Sequence, residues 1–89
     1  MKKTELNAII QDGRDRGKNF LAVKIITEGS PAPEIILNPA ENFDQKQAYY
    51  NRAYNDDLEL ISAKEHGKNI KIEDALATSN LHDLTWFAY

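Results

Sequence analysis

The residues whose types could carry chemistry are concentrated in AYYNRAYNDDLEL, residues 48 to 60, where Tyr49, Tyr50 and Tyr54 precede the adjacent Asp56 and Asp57. Paired carboxylates do acid–base work when one is buried and its pKa is raised. Neighbouring residues point in different directions, however, and an Asp after a helix commonly closes a turn through side-chain to backbone hydrogen bonds. Asp56, Asp57 and Glu59 therefore read as turn and surface groups. The GRDRGK segment, residues 13 to 18, has a phosphate-loop flavour, but a Walker A needs a wider gap between its glycines and a Ser or Thr after the Lys, where this chain has Asn19. His66 and His82 are the only imidazoles, without cysteine and without an HExxH-like spacing. No catalytic residue, metal site or cofactor is expected from these patterns.

The tyrosines separate by helical spacing. Phe43, Tyr50 and Tyr54, with Ala53 alongside, form one stripe and read as core, whereas Tyr49 sits about 100° around the helix from Tyr50. Tyr49 then lies beside Gln45 and Arg52 on an outer flank. Tyr and Arg are enriched among the residues that dominate protein interfaces. Gln45, Tyr49, Arg52 and Asp56 are accordingly the candidate partner-binding residues.

These residues must be positioned by elements that the pattern also suggests. Leu6, Ile9, Ile10 and Gly13 share one helical face, with Thr4 as cap and Gly17 as stop, which predicts a helix over about residues 4 to 16. NFLAVKIIT, residues 19 to 27, has apolar groups on both faces and predicts a central strand, and EIILN predicts a second strand after the turn EGSPAP. N-P-A-E from Asn38 resembles a capping box, with Asn42 and Gln45 as a second start, so a helix is expected from near residue 39 to 43 until about Tyr54 or Asn55. DLELISA, residues 57 to 63, alternates as a third strand, and IKI, residues 70 to 72, as a fourth, closing a second hairpin. EDALATS reads either as a helical turn or as a continuation of that strand. NLHDLTWFAY favours a short helix capped by Asn80, with Leu81, Leu84 and Phe87 inward, and Trp86, Phe87 and Tyr89 docked on the core or on a partner.

The fold class expected is α+β: one domain over residues 1–89, about four strands in two hairpins forming a mostly antiparallel sheet against two or three helices, in the order α-β-β-α-β-β-tail. With 89 residues the chain buries only about 60 to 65% of its unfolded surface, so a deep enclosed active site is not expected. Hydrophobic residues at 42% exclude a disordered chain. Fourteen acids against 11 bases give a net charge of −3, which argues against a nucleic-acid binder that tracks the phosphate backbone. The N-terminal residues lack a signal-peptide apolar region, and no run approaches the roughly 18 apolar residues of a membrane span, so a cytoplasmic location without membrane contact is expected.

The run PAPEIILNPAENFDQKQAYYNRAYNDDLEL, followed by NIKI, resembles a family of small uncharacterised phage and prophage proteins of Gram-positive bacteria. Their pattern is PEIIxNPxENFxxKxxYYxxAYxDDLxL. The matching residues are Pro33 to Pro39, Glu41 to Phe43, Lys46, Tyr49, Tyr50, Ala53, Tyr54, Asp56 to Leu58 and Leu60. The resemblance covers about residues 4 to 73. It implies a phage-encoded accessory protein in the host cytoplasm and names no catalytic residue. The expected function is thus a non-catalytic module that binds a host or phage protein, including as an inhibitor of a host defence or replication enzyme. The alternative is a small-molecule or nucleotide binder whose pocket forms at a homo-oligomer interface.

Overall fold

The structure, a computed structural model, describes residues 1–88. The element order is α1 (Lys3–Asp15), β1 (Phe20–Thr27), β2 (Glu34–Pro39), a 3-10 turn (Ala40–Asn42), α2 (Phe43–Ala53), α3 (Ile61–Glu65), β3 (Ile70–Thr78), a second 3-10 turn (Leu81–Asp83) and α4 (Leu84–Phe87). The α+β class holds, with three strands rather than four. The sheet is antiparallel in the order β2-β1-β3, which makes β1 the centre, as its two apolar faces require.

Leu21, Val23 and Ile25 of β1 meet Leu6 and Ile10 of α1, Phe43 and Tyr50 of α2, and Tyr54, Leu58, Ile72 and Ala75 in one buried cluster. Gly13 of α1 sits so close to β3 that a Cβ built on it would stand 2.8 Å from the Ala77 Cβ. Small residues on both elements therefore set the distance between helix and strand. Gly17, at φ +63°, ends the helix in the left-handed conformation that glycine adopts without steric cost. Thr4 lies inside α1 instead of capping it: the Lys2 N–H donates to the Glu5 carboxylate at 2.9 Å.

On the opposite face of β1, Ala22 is fully buried and the C-terminal turns fold across it. The Lys24 ammonium stands 5.9 Å from the centre of the Phe87 ring, and the Thr78 hydroxyl donates to Asp83 at 2.6 Å. Asn80 caps this segment by accepting the His82 N–H. Only part of the expected docking occurs. Phe87 and Leu84, three residues apart on one helical face, are half-buried, while Leu81 and Trp86 are exposed. Tyr89 lies outside the described residues.

Two expected elements are corrected. Residues 57 to 63 are not a strand: Glu59 and Leu60 make isolated bridges, with Lys71 and Tyr54 respectively, and α3 follows at once. The alternation Leu58, Leu60 is real but short, and Ser62-Ala63-Lys64-Glu65 supplies helix formers that outweigh it. IKI is also only the beginning of a strand. β3 runs on through EDALAT to Thr78 and pairs with β1, with one extra residue, Glu73, where the register shifts opposite Lys24 and Ile25.

Candidate interaction surface

Helix α2 follows β2 through the 3-10 turn, and the connection uses Asn38 differently from the cap that the sequence suggests. Asn38 is buried on the helix-facing side of β2, and its amide donates to the Tyr50 hydroxyl at 3.3 Å. This bond ties the floor of the tyrosine cluster to the edge strand. Burial raises the Tyr50 pKa and pushes that of Tyr54 up to about 12, since both phenolates would form in an apolar site.

On that floor Tyr49 is held from below. Its ring makes edge-to-face contacts with Tyr50 and Tyr54, at centroid distances of 5.5 and 6.3 Å, and Tyr50 and Tyr54 are 6.0 Å apart in the same manner. Tyr49 nevertheless remains 39% exposed. Lys46 Nζ lies 5.8 Å and the Arg52 guanidinium 6.0 Å from its ring centre. The result is a fixed aromatic anchor with a cation on either side. Gln45, Tyr49 and Arg52, at i, i+4 and i+7 of α2, share an exposed face.

Asp56 belongs elsewhere. Its carbonyl accepts the Lys3 N–H at 2.9 Å, and the residue lines a shallow groove of about 280 Å³ with Lys2, Lys3, Thr4 and Asn7. Nor do the two aspartates close the turn with their side chains. Asn55 does so, accepting the N–H groups of Asp57 at 3.0 Å and Glu59 at 2.9 Å, while Leu58 adopts φ +58° to drop its side chain into the core. Asp57 instead pairs with Lys2, and that hydrogen-bonded ammonium lowers its pKa.

Sequence reasoning missed the polar seam between α1 and α2. Asn7 and Asn51 exchange amide hydrogen bonds at 2.9 and 3.0 Å, Gln47 donates to Asn7 at 3.0 Å, and Arg14 pairs with Asp44 at 2.6 Å. Gln47 and Asn51 at i and i+4 were the available signal. They fix the face of α2 that meets α1, and with it the face that carries Tyr49. His66 and His82 are both exposed and far apart in sequence, and no group of three or more metal-ligating side chains is found among the described residues. A second groove, about 420 Å³, runs between α1 and β3 and is lined by Ala8, Ile9, Asp12, Arg16 and Ala75 to Ala77. No described helix is long and apolar enough to cross a membrane. Comparison with protein-family models, curated proteins and solved structures gives no match to this chain.

Proposed function

We propose that this chain is a non-catalytic protein-binding module whose contact surface is the exposed flank of α2 carrying Gln45, Tyr49 and Arg52. The observation that carries the reading is Tyr49, 39% exposed yet gripped by two buried tyrosines. A side chain already fixed in place loses little entropy on binding, so more of its contact area becomes affinity. Lys46 and Arg52 beside the ring favour an acidic surface on the partner. The resemblance of residues 33 to 60 to phage and prophage proteins supports a phage accessory role in a bacterial host, with a host or phage protein as partner. A host defence or replication enzyme that this module inhibits fits that role.

The test is affinity capture from bacterial lysate followed by titration of the captured protein against purified variants. The Tyr49→Ala, Arg52→Ala double variant is expected to keep its fold and to bind at least about 30-fold more weakly, the loss typical of a dominant interface residue. Binding should weaken further as salt rises. A double variant that binds as wild type refutes the assignment of this flank.

A further inference from the structure

We propose that β2 pairs edge to edge with β2 of a second copy of this chain, joining two sheets into one. The two edges of the sheet are treated differently. Along β3, the Ile70 carbonyl accepts the Leu60 N–H at 2.8 Å, the Ile72 N–H donates to the Leu58 carbonyl at 2.9 Å, and the Ala75 N–H donates to the Asp74 carboxylate at 2.9 Å. Ala77 lies against Gly13 of α1. This edge is thus bonded at Ile70, Ile72 and Ala75. The β2 edge has no such cover among the described residues, and of the usual devices against edge pairing it carries only Glu34 and the terminal Pro39, with neither a bulge nor a lysine.

The direction of each β2 backbone group follows from the register. The Ala40 N–H donates to the Asn19 carbonyl, and residues 20 and 39 stand opposite one another, so Glu34, Ile36 and Asn38 bond to β1 while Ile35, Leu37 and Pro39 turn theirs outward. Pro39, which has no N–H, occupies an outward position as it must. Two β2 strands related by a two-fold axis pair with Ile36 opposite Ile36 of the second copy and Ile35 opposite Leu37, twice over. Each Ile35–Leu37 pair exchanges both of its backbone hydrogen bonds. The next outward pair would be Pro33 against Pro39, where neither residue has a donor, so the ladder ends there on both sides. Centring on Leu37 instead would place Ile35 opposite Pro39 and lose donors.

Side chains agree with this register. Glu34, the one charged residue of the strand, falls opposite Asn38 and not opposite another carboxylate. Ile35 and Leu37, on the face away from α1 and α2, form a continuous apolar row across the junction, and Leu37 is 40% exposed in the single chain. The edge is thus complementary to itself in donors, acceptors and charge.

Light scattering coupled to size exclusion, with amide hydrogen exchange, tests the pairing. The wild-type protein is expected to have the mass of two chains, with the Ile35 and Leu37 N–H groups protected from exchange. Leu37→Lys puts like charges into the junction, and Leu37→Pro removes an outward N–H without touching the bonds to β1; each is expected to give the mass of one chain with an unchanged circular dichroism spectrum. If Leu37→Pro does not fold, Leu37→Lys alone decides. A monomeric wild type, a dimer whose Ile35 and Leu37 amides exchange freely, or a dimer that survives Leu37→Lys overturns the proposal. None of these outcomes depends on Tyr49 or Arg52, so the edge and the α2 flank stand or fall separately.

Discussion

Gly13→Ala sets two ordinary effects against each other, and the structure decides between them. In a helix interior the change from Gly to Ala is worth about 0.8 to 1.0 kcal/mol in favour of folding. At this position the new methyl would stand 2.8 Å from the Ala77 Cβ and 3.5 Å from a Phe43 ring carbon. The Ala77 Cβ is fixed directly to the backbone of β3 and cannot rotate aside. Helix α1 must therefore rise by nearly an ångström, and Leu6 and Ile10, 1% and 0% exposed on the same helix, would rise with it. A gap of about 0.5 to 1 Å forfeits a quarter to a half of each dispersion contact, and overpacking of this kind costs about 1 to 3 kcal/mol. The net expectation is a loss of up to about 2 kcal/mol, or up to about 15 °C in Tm for a chain this small. Urea unfolding of Gly13→Ala, Ala77→Gly and the double variant measures it. The double variant should recover most of the loss, with a coupling energy of about 1 kcal/mol or more. A Gly13→Ala protein that is more stable than wild type would show that the helix does not rest on Ala77, and the argument would fail.

The tyrosine floor makes two further predictions. Asn38→Ala should cost about 1 to 3 kcal/mol because it strands the buried Tyr50 hydroxyl, while Asn38→Leu combined with Tyr50→Phe should be much closer to wild type in urea, since both polar partners are then gone. With a pKa raised from 10.0 to about 12, Tyr54 holds its proton in the folded chain after the unfolded chain has released it. Its share of stability is complete below pH 10 and falls as the pH rises toward 12, by about 2 to 3 kcal/mol. Alkaline unfolding followed by phenolate absorbance should therefore be shallower in Tyr54→Phe; an identical profile would mean that Tyr54 is not shielded as the structure places it.

Where local pattern and tertiary burial agree, the sequence was legible. Leu21, Val23 and Ile25 alternate on a strand that is buried on both sides, and the stripe Phe43, Tyr50, Tyr54 packs as core with Tyr49 outside. The illegible parts are those where a distant residue decides. Asn38 has the composition of a helix cap, but a hydroxyl twelve residues later holds it in the core. Residues 70 to 78 look like a short strand followed by an ambiguous run because the partner that makes them one strand, β1, lies far back in the chain. Asp56 follows Arg52 in sequence by about one helical turn, yet the chain reverses at Asn55 and carries it to the start of α1.

The corrected third strand has a consequence for binding. As a full hairpin partner, residues 57 to 63 would have become a new edge beside β3; as bridges and a short helix they cover only the Ile70–Ile72 end of that edge, and β2 has no such cover among the described residues. Gln47 and Asn51 face α1, and Tyr49 lies about 200° around α2 from Asn51, so the aromatic anchor looks away from α1, to the side on which β2 ends the sheet. A two-fold pairing of β2 strands keeps both helical layers on one face of the joined sheet. If both proposals hold, the Tyr49 flanks of the two copies border the same seam, and a partner that spans it would meet both anchors at once, raising its affinity without any new type of contact.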